Sequence, residues 1–554
     1  MKNDPAQSAT PTAADSRLTP GEKVGYGLGD TASNLYWKFF ENFLPYFYTD
    51  VFGIKTQAVG VMLLLTRIWD AINDPFIGYL ADRTNTRWGR FRPWLLWMAV
   101  PFAITGILTL FTPDLGYNGK LIYAYITYTL VMMVYTAINI PYGALMGVIT
   151  PNSLERTSVS TYRFVAAFCG GIIVQYCTLQ MVGWFGGTET IVENGTSTER
   201  VINPQAGFFW TMVVFAVAAA ILFIITFSTT RERVEPEIDR DSTFGPDLKF
   251  ILTSRKLHQI LLLGLAALFA LATGFATDYL PWILAGYLAL TGVSLLVSYW
   301  AKMRFADVTE PSTLAMDFGD LITNRPWLVL FGFGLFQLTS AFVRGGAIVY
   351  YFKYYVGDAS YATMFLVYGS FAAIAGMLLT RQLTSIFGKK MLMIYMNAGT
   401  ALCMLPFLVL NPEQMTGMYA FHIIGSFISG PSPVLLWAMY ADVADYSEWK
   451  TSRRATGLIF SAATFSQKMG CAVGSAMTGF ALNYYAYTPP VEGVDQTQSQ
   501  TALDGLTMMM SVIPASFLVV AAACMLFYNL DEGLMQNIET DLAKRKTENV
   551  TPDA

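Results

Sequence analysis

Apolar stretches separated by short polar or charged segments recur from residue 31 to residue 528. Each runs to about 20 residues, enough for a helix to cross ~30 Å of hydrocarbon. The first six spans are predicted near 31–52, 57–81, 94–112, 121–148, 161–183 and 205–228. A second set falls near 259–277, 280–300, 327–352, 362–380, 391–410, 416–440, 456–482 and 504–528, which makes fourteen. The charged stretch 229–258 closes the first six. The segment Asp247-Leu-Lys-Phe-Ile-Leu-Thr-Ser-Arg255 is echoed by Asp317-Phe-Gly-Asp-Leu-Ile-Thr-Asn-Arg325, with two uncharged spans between. The simplest architecture is a six-helix bundle at 30–228, a linker at 229–326 carrying an inserted hairpin at 259–300, and a second six-helix bundle at 327–528. Residues 1–29 form an N-terminal extension and 529–554 a tail.

Composition agrees: the chain is 54% hydrophobic, 13% charged, and has a mean hydropathy of +0.43, far from a soluble domain. Its five cysteines all lie in apolar segments, which excludes a disulfide framework of the secreted type. The extension is polar and lacks a signal-peptide core, so the first span is expected to be retained. Lysine and arginine then set the orientation. With the N-terminus inside, 26 fall in cytoplasmic segments and three (Lys55, Lys120 and Arg200) in the opposite loops. Both termini are therefore expected to face the cytoplasm.

Against this background the informative residues are the charges inside spans. Arg67-Ile-Trp-Asp-Ala-Ile-Asn-Asp-Pro75 places Asp70 and Asp74 one helical turn apart on one face. An ionisable group in hydrocarbon costs on the order of 3 kcal/mol or more unless paired or hydrated. Four carboxylate oxygens could surround a small hard cation, or the pair could share a proton, because two nearby like charges raise one pKa. Structural pairing with Arg67 or Lys468 is the bland alternative. Lys468 itself lies mid-span in Thr464-Phe-Ser-Gln-Lys-Met-Gly470 and calls for an acidic partner.

Several motifs stand in order along nearly the whole chain: Gly25-Tyr-Gly-Leu-Gly-Asp30, Tyr48-Thr-Asp-Val51, Trp69–Pro75, Arg87-Trp-Gly-Arg-Phe-Arg-Pro93 and Ile140-Pro-Tyr142. In the second half come Tyr350-Tyr-Phe-Lys-Tyr-Tyr-Val-Gly357 and Ala441-Asp-Val-Ala-Asp-Tyr-Ser-Glu-Trp449. In these the chain resembles the glycoside–pentoside–hexuronide:cation symporters typified by melibiose permease, a branch of the major facilitator superfamily. The resemblance implies an all-α polytopic membrane protein of the major facilitator fold in a bacterial inner membrane. It also implies a cation site of Asp70, Asn73, Asp74 and Thr136, with Lys468 and Arg67 in coupling. Asn73 and Thr136 tilt the ion toward Na⁺, with H⁺ the alternative. No other cofactor and no nucleic-acid partner are implied, and the chain is expected to act as a monomer.

The resemblance further implies a sugar site. Two helix carboxylates of melibiose permease become Asn34 and Asn139 here, and its helix-4 tryptophan becomes Gly143, which widens the space. Amides donate as well as accept, so an anionic sugar such as a uronide would no longer be repelled. Arg163 and Thr464 match family positions, and Tyr135 is a weaker candidate. Lys38 shares a face with Asn34 and Glu41; it either contacts substrate or pairs with Glu41. Arg344 is a candidate second anion anchor, and His422 reads as a helix–helix contact. At the inner mouth Asp82, Arg83 and Arg90 are expected to oppose Asp442, Asp445 and Arg453 as a gate. The leading function is cation-coupled symport of a sugar, glycoside or uronide by alternating access. Transport of a lysolipid-like amphipath is the alternative. No phosphate loop of a primary pump and no catalytic constellation occur in the sequence.

Overall fold

The structure is a computed structural model. It describes residues 18–150, 153–193, 196–233, 319–451, 456–490 and 496–550, with scattered positions between 253 and 303. The first helices are α1 (Pro20–Asn42), α2 (Thr56–Arg83), α3 (Arg92–Leu110), α4 (Tyr117–Val148), α5 (Ser153–Gly186) and α6 (Pro204–Thr229). Between α5 and α6 an antiparallel ribbon pairs β1 (Thr188–Glu193) with β2 (Thr196–Val201). Then come α7 (Arg325–Tyr350), α8 (Tyr361–Leu378), α9 (Thr380–Met404), α10 (Met415–Ser429), α11 (Ser432–Thr451) and α12 (Thr456–Tyr484). The chain closes with α13 (Gln500–Met510), α14 (Val512–Leu526) and α15 (Glu532–Val550).

Local chemistry sets several helix starts. Asn203 and Asn324 accept the amides of Ala206 and Trp327 at 3.0 and 3.2 Å, and each is followed by a proline in the first turn, Pro204 or Pro326. Buried threonine hydroxyls such as Thr109, Thr178 and Thr211 donate to the carbonyl four residues back, which removes their cost in an apolar setting.

Among the described residues nine helical segments are long and apolar enough to cross a membrane; α1, α2 and α12, which hold Lys38, the Asp70–Asp74 pair and Lys468, are not among them. The predicted hairpin at 259–300 lies, apart from scattered positions, outside the described residues. Three local features differ from the expected spans. The span near 416–440 is broken at Gly430–Pro431 and then continues to Thr451; Pro431 lacks the N–H that would continue α10. The span near 504–528 is broken at Ser511, whose φ of −124° and ψ of −91° are not helical. The tail is a helix, α15, with Met535, Ile538 and Leu542 buried in the core that surrounds Leu392, Met439 and Val443.

The chain forms two compact units. The first contains α1 as far as Phe40, α2 from Ile72 onward, and α3 to α6. The second contains Glu41–Ala71 and α7 to α15. The grouping of Glu41–Ala71 has a physical cause in glycine-mediated packing. A Cβ on Gly479 of α12 would lie 2.9 Å from the Gly60 Cα of α2, so the backbones approach as only small residues allow.

Candidate functional site

In the first unit two of the residues expected at the cation site meet: the Thr136 hydroxyl donates to Asp74 Oδ1 at 3.2 Å. Thr136 is buried, and Asn73, beside Asp74 on α2, is half-buried with an amide nitrogen that makes no hydrogen bond. In the second unit Asp70, 0% exposed, pairs with Lys468 Nζ of α12 at 3.1 Å. Arg67 is buried on the same helix as Asp70. Each of the two α2 carboxylates thus has its own partner, a hydroxyl for Asp74 and an ammonium for Asp70.

In the first unit the amides of Asn34 and Asn139, expected at the sugar site, donate to carbonyls one turn back on their own helices. Asn139 Oδ1 accepts from Ser33 at 2.6 Å, while its amide nitrogen donates to the Tyr135 carbonyl at 2.9 Å. Asn34 donates to the Asp30 carbonyl at 2.9 Å. Tyr135 stacks on Trp37, ring centroids 6.0 Å apart. A Cβ placed on Gly143 would meet nothing within 4 Å. Lys38 lays its stem over Gly171 of α5, whose added Cβ would be 3.2 Å from Lys38 Cγ.

Arg163 forms an ion pair with Asp30 through a short hydrogen bond. Its guanidinium also lies 5.3 Å from the Tyr142 ring centroid. Tyr142 and Tyr26 stack and exchange reciprocal hydroxyl-to-carbonyl bonds of 2.8 and 3.0 Å. Asp30 therefore belongs with Arg163, a role the sequence reading did not give it although it closes the first family motif. In the second unit, the Thr464 hydroxyl turns back onto the Phe460 carbonyl at 3.0 Å.

Asp50 is the second residue that reading missed. Its carboxylate accepts from Tyr487 at 2.7 and 2.8 Å and from Tyr354, with Lys353 Nζ 3.7 Å away. Thr49 and Tyr350 share a 2.7 Å hydrogen bond beside it. The backbone prepares the cluster symmetrically: both Phe47–Val51 and Tyr351–Val356 are π-type turns, ended at Gly53 and Gly357 with φ of +79° and +99°. Those angles favour glycine. Tyr487 lies beyond the end of α12, where burial and then the Asp50 charge push its hydroxyl well above the usual tyrosine range.

The basic loop before α3 has partners in its own unit. Glu232 accepts the amides of Arg90, Phe91 and Arg92 at 2.9, 2.8 and 2.9 Å, which neutralises the positive end of α3. Arg92 donates to the Phe227 carbonyl at 2.8 Å. In the second unit Asp442 pairs with Lys389 at 2.6 Å, and Asp445 follows it on α11. The side chains of Asp82, Arg83 and Arg453, the remaining expected gate residues, lie outside the described residues.

A polytopic, mainly helical chain is the architecture of a membrane transporter, and the family match fixes the class. The model of the MFS/sugar transport protein family matches residues 25–280 and 282–532, and the chain belongs to that family, on its glycoside–pentoside–hexuronide:cation symporter branch. It is 30% identical over 533 residues to the inner membrane symporter YicJ of Escherichia coli (strain K12), covering 96% of each chain. It is 29% identical to the isoprimeverose transporter of Lactiplantibacillus pentosus, covering 92% of this chain and 89% of that one. In fold it resembles the crystal structure of a D-xylose-proton symporter, with a TM-score of 0.56, 14% identity, and coverage of 92% and 97%.

Proposed function

We propose that this transporter carries a glycoside or uronide inward together with Na⁺. Asp74, Asn73 and Thr136 are the oxygen ligands of the cation in this reading. The observation that carries it is the 3.2 Å approach of the Thr136 hydroxyl to the Asp74 carboxylate, a charged group that apolar helices rarely hold. Hard oxygen donors without sulfur or imidazole suit Na⁺. Among the described residues there is no cluster of three His, Cys, Asp or Glu side chains, so a transition-metal cargo has no support. Asn34, Tyr135, Asn139 and Arg163 offer the hydrogen bonds and aromatic face that a sugar ring needs. The polar character of that set, including the Asp30–Arg163 pair, argues against a lysolipid tail. A relative described as an isoprimeverose transporter supports a sugar-linked cargo.

The test is uptake of neutral glycosides and uronides into vesicles containing the purified protein, with an inward Na⁺ gradient or a pH gradient. Uptake driven by Na⁺ and abolished by Asp74→Asn is expected. Uptake driven by pH alone would replace Na⁺ with H⁺, and transport of lysolipid without sugar uptake would overturn the reading.

A further inference from the structure

Arg344 lies within α7 with 9% of its surface exposed. Its Nη1 is 3.3 Å from Nδ1 of His422 on α10. The ring centroids of Phe365 on α8 and Phe407, just after α9, are 5.8 and 5.1 Å from the guanidinium carbon. Nε and Nη2 make no hydrogen bond, and among the described residues no carboxylate pairs with them.

A guanidinium can only donate, so His422 Nδ1 must accept and the imidazole is neutral. The ring is held in place by stacking on Phe365 at 3.7 Å and 8°. It occupies the space left by Gly369, where any Cβ would collide with Nε2. The cluster therefore carries one full positive charge inside a membrane span. Cation–π contacts return about 1–2 kcal/mol, whereas an uncompensated buried ion costs several. The aromatic rings are not enough. The two unpartnered nitrogens are also neighbours on one edge of the guanidinium, the edge that grips an anion with two parallel N–H bonds.

We propose that Arg344, positioned by His422 and Phe365, forms a binding site for one monovalent anion in the second unit. The ligand chemistry is a single carboxylate or halide, so the anion comes either from the cargo, as the acid group of a uronide, or from solution, as chloride. The cargo source rests on the transport reading above; the solution source does not.

The test measures thermal stability of the full-length protein in lipid nanodiscs in sodium isethionate. Chloride, methyl glucuronide and neutral methyl glucoside are titrated separately. Saturable stabilisation by chloride identifies the solution source; stabilisation by the glucuronide beyond the glucoside, without chloride, identifies the cargo. In either case Arg344→Gln is expected to weaken the anion response by roughly ten-fold or more. Stabilisation by neither anion, or an Arg344→Gln response equal to wild type, overturns the site. Should Arg344→Gln fail to fold, Cys403→Asp places a carboxylate beside Arg344. That internal anion is expected to abolish the response, and a response at wild-type strength overturns the site. Na⁺-dependent stabilisation by the glucoside or the glucuronide is a separate readout: its absence for both strikes the transport reading and leaves the chloride arm intact.

Discussion

Lys468 and Asp70 form an ion pair of 3.1 Å with side-chain exposures of 11% and 0%. Two charges this far from water are tolerable only together, since removal of one partner strands the other. Lys468→Gln is therefore expected to destabilise the protein by about 3 kcal/mol, and Asp70→Asn with Lys468→Gln by less than the single change. Unfolding midpoints of the single and double variants in the same detergent check this. A double-variant loss equal to the sum of the losses of Lys468→Gln and Asp70→Asn alone would mean that the pair contributes nothing beyond two separate side chains.

The hydroxyl of Thr136 gives Asp74 a defined partner at 3.2 Å. Thr136→Val keeps the shape and removes that oxygen. A hydrogen bond to a charged group is worth about 1.5–3 kcal/mol, so the Na⁺ concentration for half-maximal uptake is expected to rise roughly ten-fold or more. Thr136→Ser should stay near wild type. A Thr136→Val protein with unchanged Na⁺ dependence would remove Thr136 from the cation site.

Helices and intramembrane charges were legible in the sequence because each rests on local contrast. Asp70, Asp74 and Lys468 stand out as charged residues in apolar runs, and an apolar run of span length needs no partner to be recognised. Asp30 and Asp50 were just as visible as letters, but their roles depend on partners far along the chain: Arg163 for one, Tyr354 and Tyr487 for the other. No spacing rule brings those together. Glu232 was hidden for a related reason. It reads as one acid in a charged linker until the fold carries it to the three amides at the start of α3. Both helix breaks had a proline in the sequence: Pro431 follows Gly430, and Pro514, three residues past Ser511, has no N–H for the Met510 carbonyl.

Asp50 is held by tyrosine hydroxyls, with Lys353 close to an oxygen that Tyr354 already occupies. Tyr487→Phe removes two contacts of 2.7 and 2.8 Å while keeping the ring that packs on Tyr350 and Tyr354. The expected loss is about 1.5–3 kcal/mol, read as a lower unfolding midpoint. Asp50→Asn, which keeps an acceptor, should lose less than Asp50→Ala. Equal losses in the two variants would show that the carboxylate charge, rather than its accepting oxygens, holds the cluster.

Glu22 gives a pH dependence with a definite sign. Partial burial would raise its carboxyl, but hydrogen bonds from Arg233 and Thr19 and the Arg233 charge outweigh it and hold the group below its ordinary value of 4.5. The Arg233 contact measures 2.6 Å. A carboxyl depressed in the folded state stabilises the protein fully above its unfolded value, and that contribution disappears as pH falls through the folded value. Wild type should therefore exceed Glu22→Gln in unfolding midpoint by the same margin at pH 7 and pH 5.5, with the two curves converging below about pH 4. A margin that vanished between pH 7 and pH 5.5 would assign the effect to another group.

The open space at Gly143 yields a prediction about cargo size rather than stability. Nothing stands within 4 Å of a Cβ placed there, and the residue is half-buried on α4 beside the Tyr26–Tyr142 stack. A large side chain can enter without displacing packed atoms, so Gly143→Trp is expected to change stability by no more than about 0.5 kcal/mol. It should nevertheless fill the open space at Gly143, one turn from Asn139 on α4. Uptake of larger glycosides should fall more steeply than uptake of a monosaccharide glycoside, with apparent affinity rather than maximal rate carrying the difference. Equal effects on small and large cargo would place Gly143 outside the substrate path, and the widening would then be a feature of packing alone.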